Sequence, residues 1–210
     1  MTDELLWNRA ESADDWLLLL AHGAGAPMDS EFMQSMAAGL AEQGVTVVRF
    51  EFPYMQARRA DGKKRPPNAQ GALLAHFSAV LALIKSQWPG RVALGGKSMG
   101  GRMASLLVDQ AEVDALVCLG YPFHPPGKPE KLRTAHLASL ATPGLIVQGE
   151  RDPFGKRAEL EGYALSPVLT VQWLNSGDHD FKPLKSSGLT QADNLQQAAV
   201  CVARFLQRLP

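Results

Sequence analysis

The sequence is short of almost every feature that marks a specialised partner. Lysine plus arginine number 21 and aspartate plus glutamate number 21, so the formal net charge is zero. A neutral chain offers no overall field for nucleic acid or for an anionic membrane surface. Cysteine is scarce, and two residues cannot build a disulfide framework. Cys118 falls in an apolar run and Cys201 in an amphipathic one, where small hydrophobes are expected. No apolar run approaches the roughly 20 residues of a membrane helix. Residues 1–15 are acidic and lack both the basic start and the apolar middle of a secretory signal. Repeats and low-complexity segments are missing. These absences predict a soluble cytoplasmic protein with neither nucleic acid nor membrane as partner. The 210 residues suffice for a single domain, 1–210, with a large core.

What is present is an alternation of short apolar runs with longer amphipathic ones. Apolar runs at 16–21, 45–50, 92–94, 115–119, 145–148 and 168–174 predict strands covered on both faces, with a further short strand at 5–9. Between them, apolar residues recur at helical spacing. One set is Phe32, Met36 and Leu40, capped by Asp29 or Ser30 and closed by Gly44. A second is Leu73, Phe77, Val80, Leu81 and Ile84, and the last, within 193–209, is Leu195, Ala199, Val202, Leu206 and Leu209. Residues 55–67 hold Arg58, Arg59, Lys63, Lys64 and Arg65 and predict a basic loop. The alternation predicts an α/β fold with a mostly parallel sheet and helices on both faces. Segment 120–143 is too short for a cap domain besides its crossover helix.

The chain is organised around Gly96-Lys97-Ser98-Met99-Gly100, a Gly-x-Ser-x-Gly between a strand ending near Leu94 and a helix over 99–107. In that setting the serine sits on a sharp turn that lifts its Oγ clear of the sheet. Gly96-Lys97-Ser98 also imitates the tail of a phosphate-binding loop. That loop requires a glycine where this chain has Arg91, so nucleotide binding is set aside.

A serine hydroxyl needs a base and a group that orients the base. Among five histidines, His22 ends a strand, His76 lies mid-helix, and His124 and His136 lie in or near the Pro-rich crossover. His179 follows the last strand in Ser-Gly-Asp-His-Asp-Phe and is the candidate base. The acid is expected at a strand end between serine and histidine. Asp152 fits, Glu150 is its rival, and Asp178 and Asp180 are too close to His179 to reach its far nitrogen. Oxyanion donors are expected from the backbone N–H groups of Met99 and, in the loop 22–26, Ala24. No Cys/His cluster has metal-ligand spacing, so neither metal nor organic cofactor is expected. Arg58 and Arg59 are candidate anchors for an anionic part of the substrate.

The ordered set AHGAG, GKSMGG, GERDPFG and SGDHDF resembles the α/β-hydrolase superfamily over nearly the whole chain. FPYMQARR, GGKSMGGRMAS and GYPFHPPGKPEKLR resemble, more narrowly, a small uncapped dienelactone-hydrolase-like group. That group includes a testis-expressed protein and a subunit of the non-specific lethal histone acetyltransferase complex. The resemblance implies Ser98 as nucleophile, Asp152 as acid and His179 as base. Two functions follow: a serine hydrolase acting on a small acyl ester or thioester, or a non-catalytic scaffold that keeps the fold and binds a protein partner. A scaffold has no chemical need for all three residues together, which favours the enzyme.

Overall fold

The computed structural model describes residues 4–11 and 15–210; residues 1–3 and 12–14 of the acidic N-terminal stretch lie outside the described residues. Among the described residues there are seven strands: β1 (Leu6–Asn8), β2 (Trp16–Ala21), β3 (Thr46–Phe50), β4 (Arg91–Lys97), β5 (Ala115–Leu119), β6 (Gly144–Gly149) and β7 (Leu169–Leu174). They form one sheet in the order β1-β3-β2-β4-β5-β6-β7. All neighbours are parallel except β1, which runs antiparallel to β3 at the edge. The helices of the described residues are α1 (Glu31–Glu42), α2 (Pro53–Asp61), α3 (Gln70–Gln87), α4 (Met99–Leu107), α5 (Arg157–Leu160) and α6 (Gln191–Gln207).

The continuous apolar strands arise because each faces two cores. In β2, Leu17, Leu19 and Ala21 join one core, with Phe77, Ile84 and Met103 of α3 and α4. Trp16, Leu18 and Leu20 join the other, with Met33, Met36 and Val202 of α1 and α6. Alternate strand residues point to opposite faces, so a strand between two helix layers must be apolar at every position. Each such leucine contributes about 1.5–3 kcal/mol by burial. The sheet is wound outward in both directions from β2 and β4, so the loops after these strands flank the crevice where the strand order reverses.

Three expectations need correction. Of the expected basic loop over 55–67, residues 55–61 belong instead to the helix Pro53–Asp61. Pro53 begins α2, where its missing N–H is harmless, and Gly62 ends it at φ 72°, which glycine alone adopts without strain. The charge run concealed both signals. The crossover 120–143 contains one 3-10 turn, Ala135–Ser139, instead of a full helix. The last helix begins two residues early, because Thr190 and Asp193 close a capping box. No cap covers the sheet among the described residues.

Candidate active site

Ser98 lies between β4 and α4 with φ 51° and ψ −113°, a conformation that costs a non-glycine residue on the order of 1–3 kcal/mol. The turn is held by the ladder bond from Ser98 N–H to Leu119 O, 2.9 Å, and by close backbone packing. A Cβ on Gly96 would stand 2.3 Å from the Gly100 carbonyl carbon, and one on Gly100 would stand 2.5 Å from Ala21 O. Ser98 occupies the N-cap position of α4, yet its side chain makes no capping bond. Met99 is the first residue of α4, where backbone N–H groups have no partner within the helix.

The structure brings His179 and Asp152 together at 2.8 Å, from Nδ1 to Oδ2. Asp152 is fully buried in the turn that follows β6. The same Oδ2 accepts a bond from Gln148 Nε2 at 3.0 Å, and Oδ1 accepts the Phe154 N–H at 2.9 Å. Gln148 is itself fixed, because its Oε1 accepts the Tyr121 N–H at 2.7 Å. Phe154 stacks on the imidazole with ring centroids 4.3 Å apart. Glu150, the rival acid, instead accepts the Ser176 N–H at 3.0 Å and pairs with Arg157. Ser98 and His179 line one cavity of about 310 Å³, together with Ala24, Phe32, Phe154 and Lys97.

The loop after β2 is tied from behind. Fully buried His22 places Nδ1 2.7 Å from Gly23 O and accepts the Phe52 N–H at Nε2. This fixes the neutral Nδ1–H tautomer, and burial lowers the pKa in keeping. Tyr54 donates its hydroxyl proton to Gly23 O and Ala24 O, at 3.3 and 3.0 Å.

Arg58 and Arg59 do not line the Ser98 cavity. They border a separate pocket with Pro27, Glu51 and Met55. The Arg59 guanidinium is shared between Glu51 and Asp29, which raises its pKa further and leaves it no free fork for a substrate anion. Arg58 reaches back to Gly25 O at 3.4 Å.

A second serine–histidine contact is not a nucleophile and base. Ser105 Oγ donates to Arg102 O, so it accepts from His136 Nε2 at 2.8 Å and has no proton to give that ring. His124 is a clasp. Its ring nitrogens face Pro125 O and Glu159 Oε2, joining the crossover to α5 on the far side of the Asp152 turn. Burial works against its charge, but the Pro125 carbonyl and the Glu159 carboxylate outweigh it, and the pKa is raised. The stabilisation is complete below the ordinary value of 6.5 and is lost as pH rises through the raised folded-state value. Urea midpoints from about pH 6 to pH 9 are therefore expected to fall more steeply for the native protein than for His124→Gln. Parallel curves would remove the clasp.

Sequence reasoning missed Gln148, Tyr54 and Lys97. The available signal was a polar residue at the C-terminal end of an apolar strand, last in β4 for Lys97 and last but one in β6 for Gln148. Among the described residues, no group of three or more His, Cys, Asp or Glu is arranged to hold a metal ion. No described helix is long and apolar enough to cross a membrane.

The chain matches the family model described as "Alpha/beta hydrolase domain" over residues 14–207. It is 26% identical over 178 residues to a carboxymethylenebutenolidase of Pseudomonas putida, covering 75% of this chain and 72% of that protein. An alpha-beta serine hydrolase homologue from Coxiella burnetii superposes with a TM-score of 0.72 at 20% identity, over 95% of this chain and 91% of its own. A lidless α/β serine hydrolase from Xanthomonas campestris gives 0.72 at 19% identity, over 98% and 89%. A sheet wound about β2 and β4, a strained serine after β4 and a family match over nearly the whole length agree: the chain belongs to the alpha/beta hydrolase family, as an esterase-like member with no cap among the described residues.

Proposed function

We propose that the chain is a serine hydrolase of small acyl esters or thioesters, with Ser98 as nucleophile, His179 as base and Asp152 as the acid that orients it. One observation carries this reading: a fully buried carboxylate 2.8 Å from the imidazole of a histidine that lines the same cavity as the strained serine. Ser98 Oγ attacks the acyl carbon while His179 Nε2 takes its proton. The tetrahedral intermediate collapses, and the alcohol or thiol leaves with that proton. Water then attacks the acyl-serine, giving its proton to His179, and the acid departs as Ser98 recovers its hydrogen. Asp152 holds Nδ1–H, which keeps Nε2 free to accept.

The developing oxyanion is stabilised by the N–H groups of Met99 and Ala24. His22 and Tyr54 draw the Gly23 carbonyl inward. In a trans peptide the next N–H points the opposite way, so the Ala24 N–H is directed away from those partners. The loop is thus set before substrate arrives.

No step requires a metal or an organic cofactor. A reducing compartment such as the cytoplasm suits the two free cysteines. The motifs FPYMQARR and GYPFHPPGKPEKLR support placement within the uncapped dienelactone-hydrolase-like group.

The test is a fluorophosphonate probe followed by peptide mass spectrometry. Label on Ser98 of the native protein, and none after heat denaturation, is expected. A folded protein that takes no label would favour the scaffold that binds a protein partner.

A cavity of about 310 Å³ lies at the small end of ligand sites. Without a lid, little apolar wall is available to collect the ~0.8 kcal/mol per CH₂ that a long acyl chain offers. Specificity constants are therefore expected to peak at acetyl or butyryl p-nitrophenyl esters. A maximum at long-chain esters would contradict the open site.

A further inference from the structure

Lys97 stands immediately before Ser98, and its position is unusual for a lysine. The residue is 6% exposed at the end of β4. Its ammonium donates to the main-chain carbonyl of His179 at 2.6 Å and pairs with Asp180 Oδ1 at 3.3 Å. The cation also sits 5.1 Å from the Phe32 ring centroid and 5.9 Å from that of Phe181. Beside it, Gly120 at the end of β5 has φ 66°. A Cβ there would approach Lys97 Nζ and His179 O, both at 3.1 Å, so the glycine leaves the passage through which the contact is made. Burial pushes the Lys97 pKa down against the opposing pull of Asp180 and Asp152. Its ion-pair partner Asp180 is 66% exposed, and a pair with one member in water contributes little to stability. Something other than stability therefore accounts for a charge in this place.

We infer that Lys97 is the positioning residue for His179: it fastens the histidine loop to the strand that carries Ser98, through the His179 carbonyl. The other anchors of that loop lie elsewhere. Asn194 Nδ2 holds Phe181 O at 2.8 Å, and Asp178 caps the turn through Asp180 N–H and Lys182 N–H. Among the described residues, Lys97 is the side chain that ties His179's own peptide to β4. The two residues are 82 positions apart, and the bond sets the distance between their strand ends. An imidazole displaced by an ångström loses its line to both nucleophile and acid, which typically costs about 100-fold. The inference rests on the proposed hydrolase reading for its kinetic arm, but not for its spectroscopic one.

The test uses Lys97→Met, which ends where the lysine Cε stands and carries neither charge nor donor, with Lys97→Gln, whose amide also stops one atom short of the carbonyl, as a second variant. Expected for both is a kcat lower by about 10- to 100-fold with KM within about twofold, because the defect lies in the placed base and not in substrate binding. The melting temperature of Lys97→Met is expected to fall by no more than a few degrees, because Asp180 stays hydrated and only the His179 carbonyl loses its donor. In proton NMR, the downfield Nδ1–H resonance of the His179–Asp152 bond is expected to shift or broaden in both variants. Native kcat with an unmoved Nδ1–H resonance in either folded variant overturns the inference. So does a raised KM at native kcat, which makes Lys97 a substrate contact, and so does a lowered melting temperature with full activity per folded molecule. If the native protein neither turns over esters nor takes the fluorophosphonate, the hydrolase reading has failed, and the NMR comparison still decides the role of Lys97.

Discussion

Ser98→Ala is expected to fold like the native protein and to lose ester hydrolysis by a factor on the order of 10⁶ in kcat. The loss is large because nucleophile, base and acid act as a unit, so removing the nucleophile leaves the imidazole nothing to activate within reach. Folding is spared because the Ser98 side chain makes no capping bond to α4, and the strained φ of 51° is demanded by the backbone around it. Alanine bears the same strain as serine there. Glycine would not, so Ser98→Gly is expected to melt above Ser98→Ala while being equally inactive. The measurement is initial-rate hydrolysis of p-nitrophenyl acetate alongside thermal melting. A Ser98→Ala protein that hydrolyses at the native rate would end the proposed mechanism.

Asp152→Asn is expected to lose roughly 10⁴ in rate, with a measurable fall in stability. The carboxylate accepts three bonds and donates none: Phe154 N–H on one oxygen, Gln148 Nε2 and His179 Nδ1 on the other. An amide can satisfy only one side. With its oxygen toward Phe154, the NH₂ faces the Gln148 amide donor and forces His179 into the tautomer that protonates Nε2, the atom required as base. Turned round, the NH₂ opposes the Phe154 N–H instead. Either way a buried donor meets a donor, at about 1–3 kcal/mol. Glu150→Gln is the contrasting variant. Glu150 joins the Ser176 N–H and Arg157 and makes no bond to His179, so its rate is expected to stay near native. The reverse ranking of these two variants would transfer the acid role to Glu150.

Much of the architecture was legible because its signals are local. A strand buried on both faces shows as an unbroken apolar run, and β2, β5 and α4 were read with the boundaries found in the structure. The five buried residues of α3 are the five the helical spacing picked out. The turn after β4 was legible because Gly96 and Gly100 are required by contacts made within a few residues or with the adjoining strand. Helix α2 was not, because five basic residues in a short segment look like a solvated loop. Yet Pro53 and Gly62 mark the ends of the helix, and Glu51 and Asp29 absorb the charge of Arg59.

The sequence by itself determined the α/β alternation, the two-faced sheet, the placing of serine, acid and histidine at strand ends, and their order along the chain. Only the tertiary structure decided which of those groups touch. The contact of His179 with Asp152 and not with Glu150, the occupation of Arg59, the tethering of loop 22–26 by Tyr54, and the bond from Lys97 to His179 all join residues distant in sequence. Periodicity reports which face of an element is buried, because burial repeats with the backbone. It says nothing about which polar atoms meet across neighbouring strand ends. That is set by strand order and register, which bring β4, β5, β6 and β7 side by side and their C-terminal loops together on one edge.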